Sequence, residues 1–190
     1  MNYQVFPLFF MRVTTLLFFL IAVGVHFVGI SALTSYFVLV GVVFPIMISM
    51  RLHTLNESGQ VLILTENSQW TTYIHGFPAQ EQRSVLKNPC FFSQARLRTF
   101  FIACFSSKLC LQVACIAILA CDYTNGANAI AAVFTLICLL IFAGSSVRAL
   151  YRVIANQWQC ENLTTDTGTV WCQGFMLNGE KKMAMLARLF

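Results

Sequence analysis

Lys108 carries the sharpest chemical question in this sequence. It is the one charged residue between Thr99 and Cys121, in an otherwise apolar stretch. An ammonium in such a place is costly: it serves transport, pairs at a subunit contact or reaches the boundary along its own aliphatic stem. No acidic residue lies in any apolar stretch to partner it, which weakens proton- or cation-coupled transport. The favoured expectation is snorkelling, or pairing at a subunit contact. His26 is the other intramembrane candidate, and a lone histidine between helices reads first as a hydrogen-bonding residue. Gln112 and Asn128 would join these two if the chain formed a path.

Thiol chemistry is the second possibility. The chain has eight cysteines. Cys104, Cys110, Cys115 and Cys138 sit in apolar stretches, where cysteine acts as a small hydrophobe. Cys160 and Cys172 are equidistant from Asp166, so a hairpin turning there brings them onto neighbouring strands. That arrangement allows a bridge, half a metal site or two ordinary thiols. A zinc site takes four ligands, and His53 and His75 belong to a separate polar segment, so no metal site is assigned. There is no Cys-x-x-Cys motif, no phosphate-binding glycine loop, no His-Glu-x-x-His and no Gly-x-Ser-x-Gly. No nucleophile–base pair follows from the spacing, so no catalytic residue is assigned and the cofactor is unknown. Two glycosylation patterns, Asn56-Glu-Ser58 and Asn162-Leu-Thr164, read as chance on the topology derived below.

The elements that position these residues are written in charge and hydropathy. The 38 residues from Val13 to Met50 contain no Asp, Glu, Lys or Arg. One bilayer crossing takes about 20 apolar residues, so this run accommodates two. The whole chain is 58% hydrophobic and only 10% charged, with a mean hydropathy of +0.72. Soluble domains carry about 25% charged residues, and a polar shell cannot be built from this composition. Arg12 followed by Val13–Val25 has the outline of a secretion signal, but the apolar run continues well past such a core. It reads as a retained span.

The expected fold class is therefore membrane all-α, with four transmembrane helices in two hairpins. The spans are Val13–Ile30, Tyr36–Met50, Thr99–Cys121 and Ala127–Val147. Pro45 is expected to kink the second span or to lie in its last turns. The units are a first hairpin over 1–50, a loop over 51–98, a second hairpin over 99–147 and a tail over 148–190. In the loop, Gln60–Thr65 and Gln69–His75 read as two strands around Glu66-Asn67-Ser68, and Gln80–Lys87 reads as a short helix. In the tail, Gln157–Thr164 and Thr169–Leu177 pair around Asp166-Thr167-Gly168. Residues 180–190 form an amphipathic segment with Met183, Leu186 and Phe190 on one helical face. It lies on the membrane or caps the tail. Loop and tail together make one small β-containing cytoplasmic module. Its aromatic residues Trp70, Tyr73, Trp158, Trp171 and Phe175 are candidates for a partner-contacting surface. Trp70 and Trp171 each lie 19 residues beyond an arginine, Arg51 and Arg152, but the poor identity between the halves argues against duplication.

Charge sets the orientation. Arg12, Arg51, Arg83, Lys87, Arg96, Arg98, Arg148 and Arg152 all fall on one side of a four-span arrangement, and the two short connections hold only Asp122. The positive-inside rule then puts both termini inside, in a bacterial inner membrane or an organellar inner membrane. The net charge of +5 is distributed as span flanks without a dense patch, which excludes nucleic acid as a partner.

The third span also bears a stripe of small residues, Ala103, Ser107, Cys110, Ala114, Ala117 and Cys121, at spacings of 4-3-4-3-4. Ala127 and Ala131 begin a similar stripe on the fourth span. Such faces allow close backbone approach, and the two spans are expected to pack together through them. The function these features imply is a non-catalytic membrane subunit or accessory protein of a larger complex. Its partners are the lipid bilayer and other membrane subunits. The alternatives are a small oligomeric transporter or channel, and a membrane enzyme acting near lipid head groups.

Overall fold

The computed structural model describes residues 13–63, 65–74, 77–86, 88–164, 168–178 and 181–189. Among the described residues, four apolar helical stretches and seven strands follow one another. α1 is Val13–His26. α2, Ala32–Val38, runs through a π-helical stretch, Leu39–Val43, into α3, Phe44–Glu57, without a break. Pro45 accounts for the widened turn. It has no N–H to give, and its ring crowds the carbonyl four residues back. The chain absorbs the misfit as a π stretch and stays helical. α4 is Gln94–Thr124 and α5 is Ala129–Ile154.

Three of these helices, Ala32–Glu57, Gln94–Thr124 and Ala129–Ile154, are long and apolar enough to cross a membrane. α1 is not among these three: its 14 described residues measure about 21 Å, against a hydrocarbon core of roughly 30 Å. His26–Gly29 turns the chain, and Gly29 takes the left-handed conformation with φ 88°. The other three helices outrun their expected limits, because apolar burial at the Arg51, Arg98 and Arg152 ends carries the helix on past the membrane-type composition.

α4 is the spine of the fold. Gly126, at φ 93°, and the N-cap Asn128 reverse the chain directly into α5. The Asn128 side chain accepts the N–H groups of Ile130 and Ala131, and this capping starts α5. Ser93 opens α4 in extended conformation at the other end.

The polar segments form two sheets. β1 (Val61–Leu62), β4 (Cys90–Phe91), β6 (Val170–Asn178) and β5 (Gln159–Thr164) lie side by side in that order, and β7 (Lys181–Ala184) joins β6. All pairings are antiparallel. Thus loop and tail do share one sheet, with β4 and β6 as its seam. The tail hairpin runs through the expected segments, with Thr164 opposite Val170.

The loop departs from expectation. β2 (Thr65–Ile74) continues straight through Glu66-Asn67-Ser68 and pairs with β3 (Phe77–Leu86). The segment read as a helix, Gln80–Lys87, therefore lies in a strand up to Leu86. Val61-Leu62 pairs with Cys90-Phe91 instead of with the following strand. Residues 180–190 also differ. They continue from β7 into α6, Met185–Leu189, and Met185, Leu186 and Leu189 are buried. The segment caps the tail. Phe190 lies outside the described residues.

Two cores result. One gathers Ala22 of α1, Leu33 and Phe37 of α2, Cys115 and Leu119 of α4, and Ala132 and Leu139 of α5. The other lies toward the sheet. It joins Ile48 and Leu52 of α3, Leu97, Phe101 and Phe105 of α4, and Val153 of α5 to Phe91, Met176 and the α6 leucines. The helices also carry apolar residues outward, such as Ile130 at 83% exposure and Ile141 at 65%. Soluble surfaces do not arrange apolar residues this way over whole helices. The chain is a membrane-associated protein whose apolar helices are suited to a lipid bilayer.

Candidate functional site

The polar interactions concentrate at the two ends of the helices. At the end that holds the α4–α5 turn, the Asp122 carboxylate takes the place of an N-cap for α2. Its Oδ2 accepts the Ser31 N–H at 2.7 Å and the Ala32 N–H at 3.2 Å. The Ser31 hydroxyl lies 3.1 Å from both carboxylate oxygens. These amides have no intrahelical acceptor, and a carboxylate at a helix N-terminus also meets the positive end of the dipole.

At the other end, three basic residues satisfy carbonyls. Arg98 of α4 donates to the Ile154 carbonyl at 2.8 Å, at the C-terminus of α5. Arg152 donates to Leu177 of β6 at 3.4 Å. Lys108 donates to the Leu189 carbonyl at 2.7 Å, at the C-terminus of α6. Cations at helix C-termini oppose the negative end of the dipole. Residues read from the sequence as orientation signals and snorkelling therefore also fasten the tail to the helices.

The sheet is held against the bundle by a gap in the sequence of side chains. At Gly174, an added Cβ would come 2.3 Å from the Met185 sulfur and 3.0 Å from Leu97 Cδ2. The missing side chain lets β6 approach α4 and α6 this closely without displacing Met185. Asn88 donates to the Gly174 carbonyl at 2.7 Å, and Gln173 donates back to the Asn88 carbonyl at 3.3 Å.

The small-residue stripe of α4 is turned outward. Ala103, Ser107, Cys110, Ala114, Ala117 and Cys121 are all exposed. α4 meets its neighbours through Phe101, Cys104, Phe105, Gln112, Cys115 and Leu119, which are buried. Contact between α4 and α5 is thus made, but not through this stripe. Ala127 and Ala131 do face inward, against the core around Leu119 and Leu139.

The candidates for a path are scattered. His26 is exposed at the end of α1, Asn128 caps α5, and Lys108 caps α6. Gln112 alone is buried in the bundle, with the Tyr36 hydroxyl beside its amide. Thr135 Oγ1 is buried without a hydrogen-bond partner among the described residues.

Of the aromatic candidates, Trp158 packs on the sheet-side core. Trp171 meets Phe92 edge to face at 6.1 Å, and Phe92 is 64% exposed. Phe175 stands on β6 opposite Gln159 and Ala184. Trp70 and Tyr73 lie in β2, at the positions opposite Glu81 and Pro78.

The thiols are free throughout the chain. Cys160 stands opposite Gly174 and Cys172 opposite Asn162, so the pair is diagonal. Asn162 Oδ1 accepts from both, at 3.8 Å and 3.5 Å. Burial pushes the Cys160 thiol up to about 12, and contact with the Cys172 thiol adds to the shift. Burial likewise raises Cys90; the amide of Gln173, 3.0 Å from its sulfur, opposes the shift, and Cys172 adds to it. Both stay protonated and are poor nucleophiles. His53 sits 3.4 Å from Glu57, and His75 lies outside the described residues. Among the described residues no three His, Cys, Asp or Glu side chains gather as metal ligands.

Sequence reasoning missed Asp122 as a cap and Gly174 as a contact point. Neither leaves a local signal, since Asp122 is 91 residues from Ser31. Comparison of the chain with protein-family models, with curated proteins and with solved structures finds no match.

Proposed function

We propose that this chain is a non-catalytic integral membrane subunit, or accessory protein, of a larger membrane complex. In this reading four segments cross the bilayer in two hairpins, with α1 and the residues up to Ile30 forming the first crossing. Both termini lie inside. The positive-inside rule supports that orientation, because Arg51, Arg96, Arg98, Arg148 and Arg152 belong to the sheet end and Asp122 to the other.

The observation that carries the reading is the outward stripe of α4. Six small residues lie on one exposed face of a helix whose opposite side is buried. Lipid alone gives no reason for that face, because small side chains offer it little contact. A neighbouring helix does, because small residues let two backbones meet. Exposed Phe92, packed on half-buried Trp171, supplies a second surface at the inner end, suited to a partner's extramembrane part.

The test is to solubilise the full chain from its native membrane in mild detergent and measure the mass of the particle. A complex of fixed stoichiometry that is lost in Ala114→Leu and Ala117→Leu supports the proposal. A monodisperse protein of 21.3 kDa plus detergent, with no partner chain, contradicts it.

A further inference from the structure

We infer that Lys108 and Arg188 form a binding site for the phosphate of an anionic phospholipid in the inner leaflet. The inference rests on the reading that α4 crosses the bilayer with Gln94 inside. Lys108 has three N–H donors, and the Leu189 carbonyl takes one of them at 2.7 Å. Arg188 precedes Leu189 in α6, one residue from the carbonyl that Lys108 holds. Both side chains are partly buried. The described residues contain two ion pairs, His53–Glu57 and Lys182–Glu161, and neither involves these cations. Arg188 makes no hydrogen bond among the described residues, and two donors of Lys108 stay open there. The apolar residues around them, Phe105 of α4 and Leu186 and Leu189 of α6, offer no compensation.

Two like charges in a partly apolar setting repel, and both retain strong donors. An oxyanion shared between them removes the repulsion and fills those donors. Position selects its source. Lys108 lies 13 residues before Cys121, about 20 Å along the helix. If Cys121 and Asp122 mark the outer boundary of a core about 30 Å thick, Lys108 starts about 10 Å below the inner one. Its stem spans most of that distance. The ammonium then sits where inner-leaflet phosphates begin, and a basic pocket beside membrane helices there suits an anionic head group.

The full chain in mild detergent is exposed to equal amounts of phosphatidylglycerol and phosphatidylcholine, and the retained lipid is read by native mass spectrometry. Preferential retention of one phosphatidylglycerol is expected. Arg188→Gln and Lys108→Met each lower it by about fivefold, whereas Lys108→Arg and Arg188→Lys keep it. Lys182→Gln, in the exposed pair with Glu161, leaves it unchanged. Should Lys108→Met fail to fold, Arg188→Gln set against Arg188→Lys decides the matter. Equal retention of both lipids, or undiminished retention in Arg188→Gln, overturns the site. Displacement of the lipid by millimolar inorganic phosphate overturns the assignment to lipid. Thiol labelling from the two sides tests the crossing itself, so a failed topology and a failed lipid site give different results.

Discussion

Asp122 and Ser31 are 91 residues apart, yet the carboxylate of one holds the backbone N–H of the other at 2.7 Å. The bond fixes the end of α4 to the start of α2, and it defines the end of the bundle opposite the sheet. Asp122→Ala should destabilise the protein by about 1–2 kcal/mol, as the loss of an N-cap does. Asp122→Asn, which keeps one acceptor oxygen, should fall between. Thermal unfolding in detergent measures both. If Asp122→Ala matches the parent protein, the cross-helix cap contributes nothing to stability.

A second prediction concerns the closeness of β6 to α6. Gly174→Val should destabilise by roughly 1–3 kcal/mol through overpacking. Gly174→Ala should cost less, because the Met185 side chain is flexible and its sulfur is the nearest atom. Met185→Ala combined with Gly174→Ala should recover part of the loss in a double-mutant cycle. Additive losses would mean that the two residues do not meet.

Lys108 is expected to secure the tail. In Lys108→Met, amide exchange over Met185–Leu189 should rise, because the Leu189 carbonyl loses its donor. Lys108→Arg should preserve protection. Unaltered exchange in Lys108→Met would remove the cap from the account.

The pattern of what was readable in the sequence follows from the range of the interactions. Apolar length announced the long helices, and the sequence Asp166-Thr167-Gly168 announced a hairpin of β5 and β6, because both signals are local. Gln80–Leu86 was misread for the same reason. Its own residues suit a helix, but β2 pairs with it residue for residue, and pairing of that kind is a property of two segments. The α4 stripe was recognised, but the buried residues of the helix lie on its other side. Periodicity identifies a face without saying what covers it, and Phe101, Phe105 and Leu119 took the interior. Lys108 was noticed as odd, yet its partner carbonyl lies 81 residues away. The site at α6 was invisible because β7 had first to turn the tail back onto α4.

The raised thiols make a pH prediction. A thiol with a folded pKa above its unfolded value favours the folded state while neutral. Its contribution is whole below the unfolded value, near 8.5, and is lost as pH climbs from there toward the folded value. For Cys160 that folded value is about 12. Stability should therefore fall between about pH 8.5 and 12, and Cys160→Ser should flatten the decline. Alkylation of Cys160 should keep accelerating through pH 10. A plateau near pH 9 would contradict the raised value.

Cysteine accessibility tests the topology. Cys121, at the end of α4, is exposed, and Cys160 belongs to β5 in the sheet at the other end. In sealed right-side-out vesicles, a membrane-impermeant maleimide should label Cys121 and spare the exposed thiol of Glu161→Cys, beside Cys160 on β5, until the bilayer is opened. Labelling of both from one side would rule out the crossing of α4.

The most direct measurement of the central claim is the mass of the native particle that contains this chain, compared between the parent protein and Ala114→Leu/Ala117→Leu. The subunit account predicts a discrete complex well above 21.3 kDa for the parent and release of this chain by the stripe variant, with its own fold intact. A partner-free particle from the native membrane, unchanged by the substitutions, would contradict it.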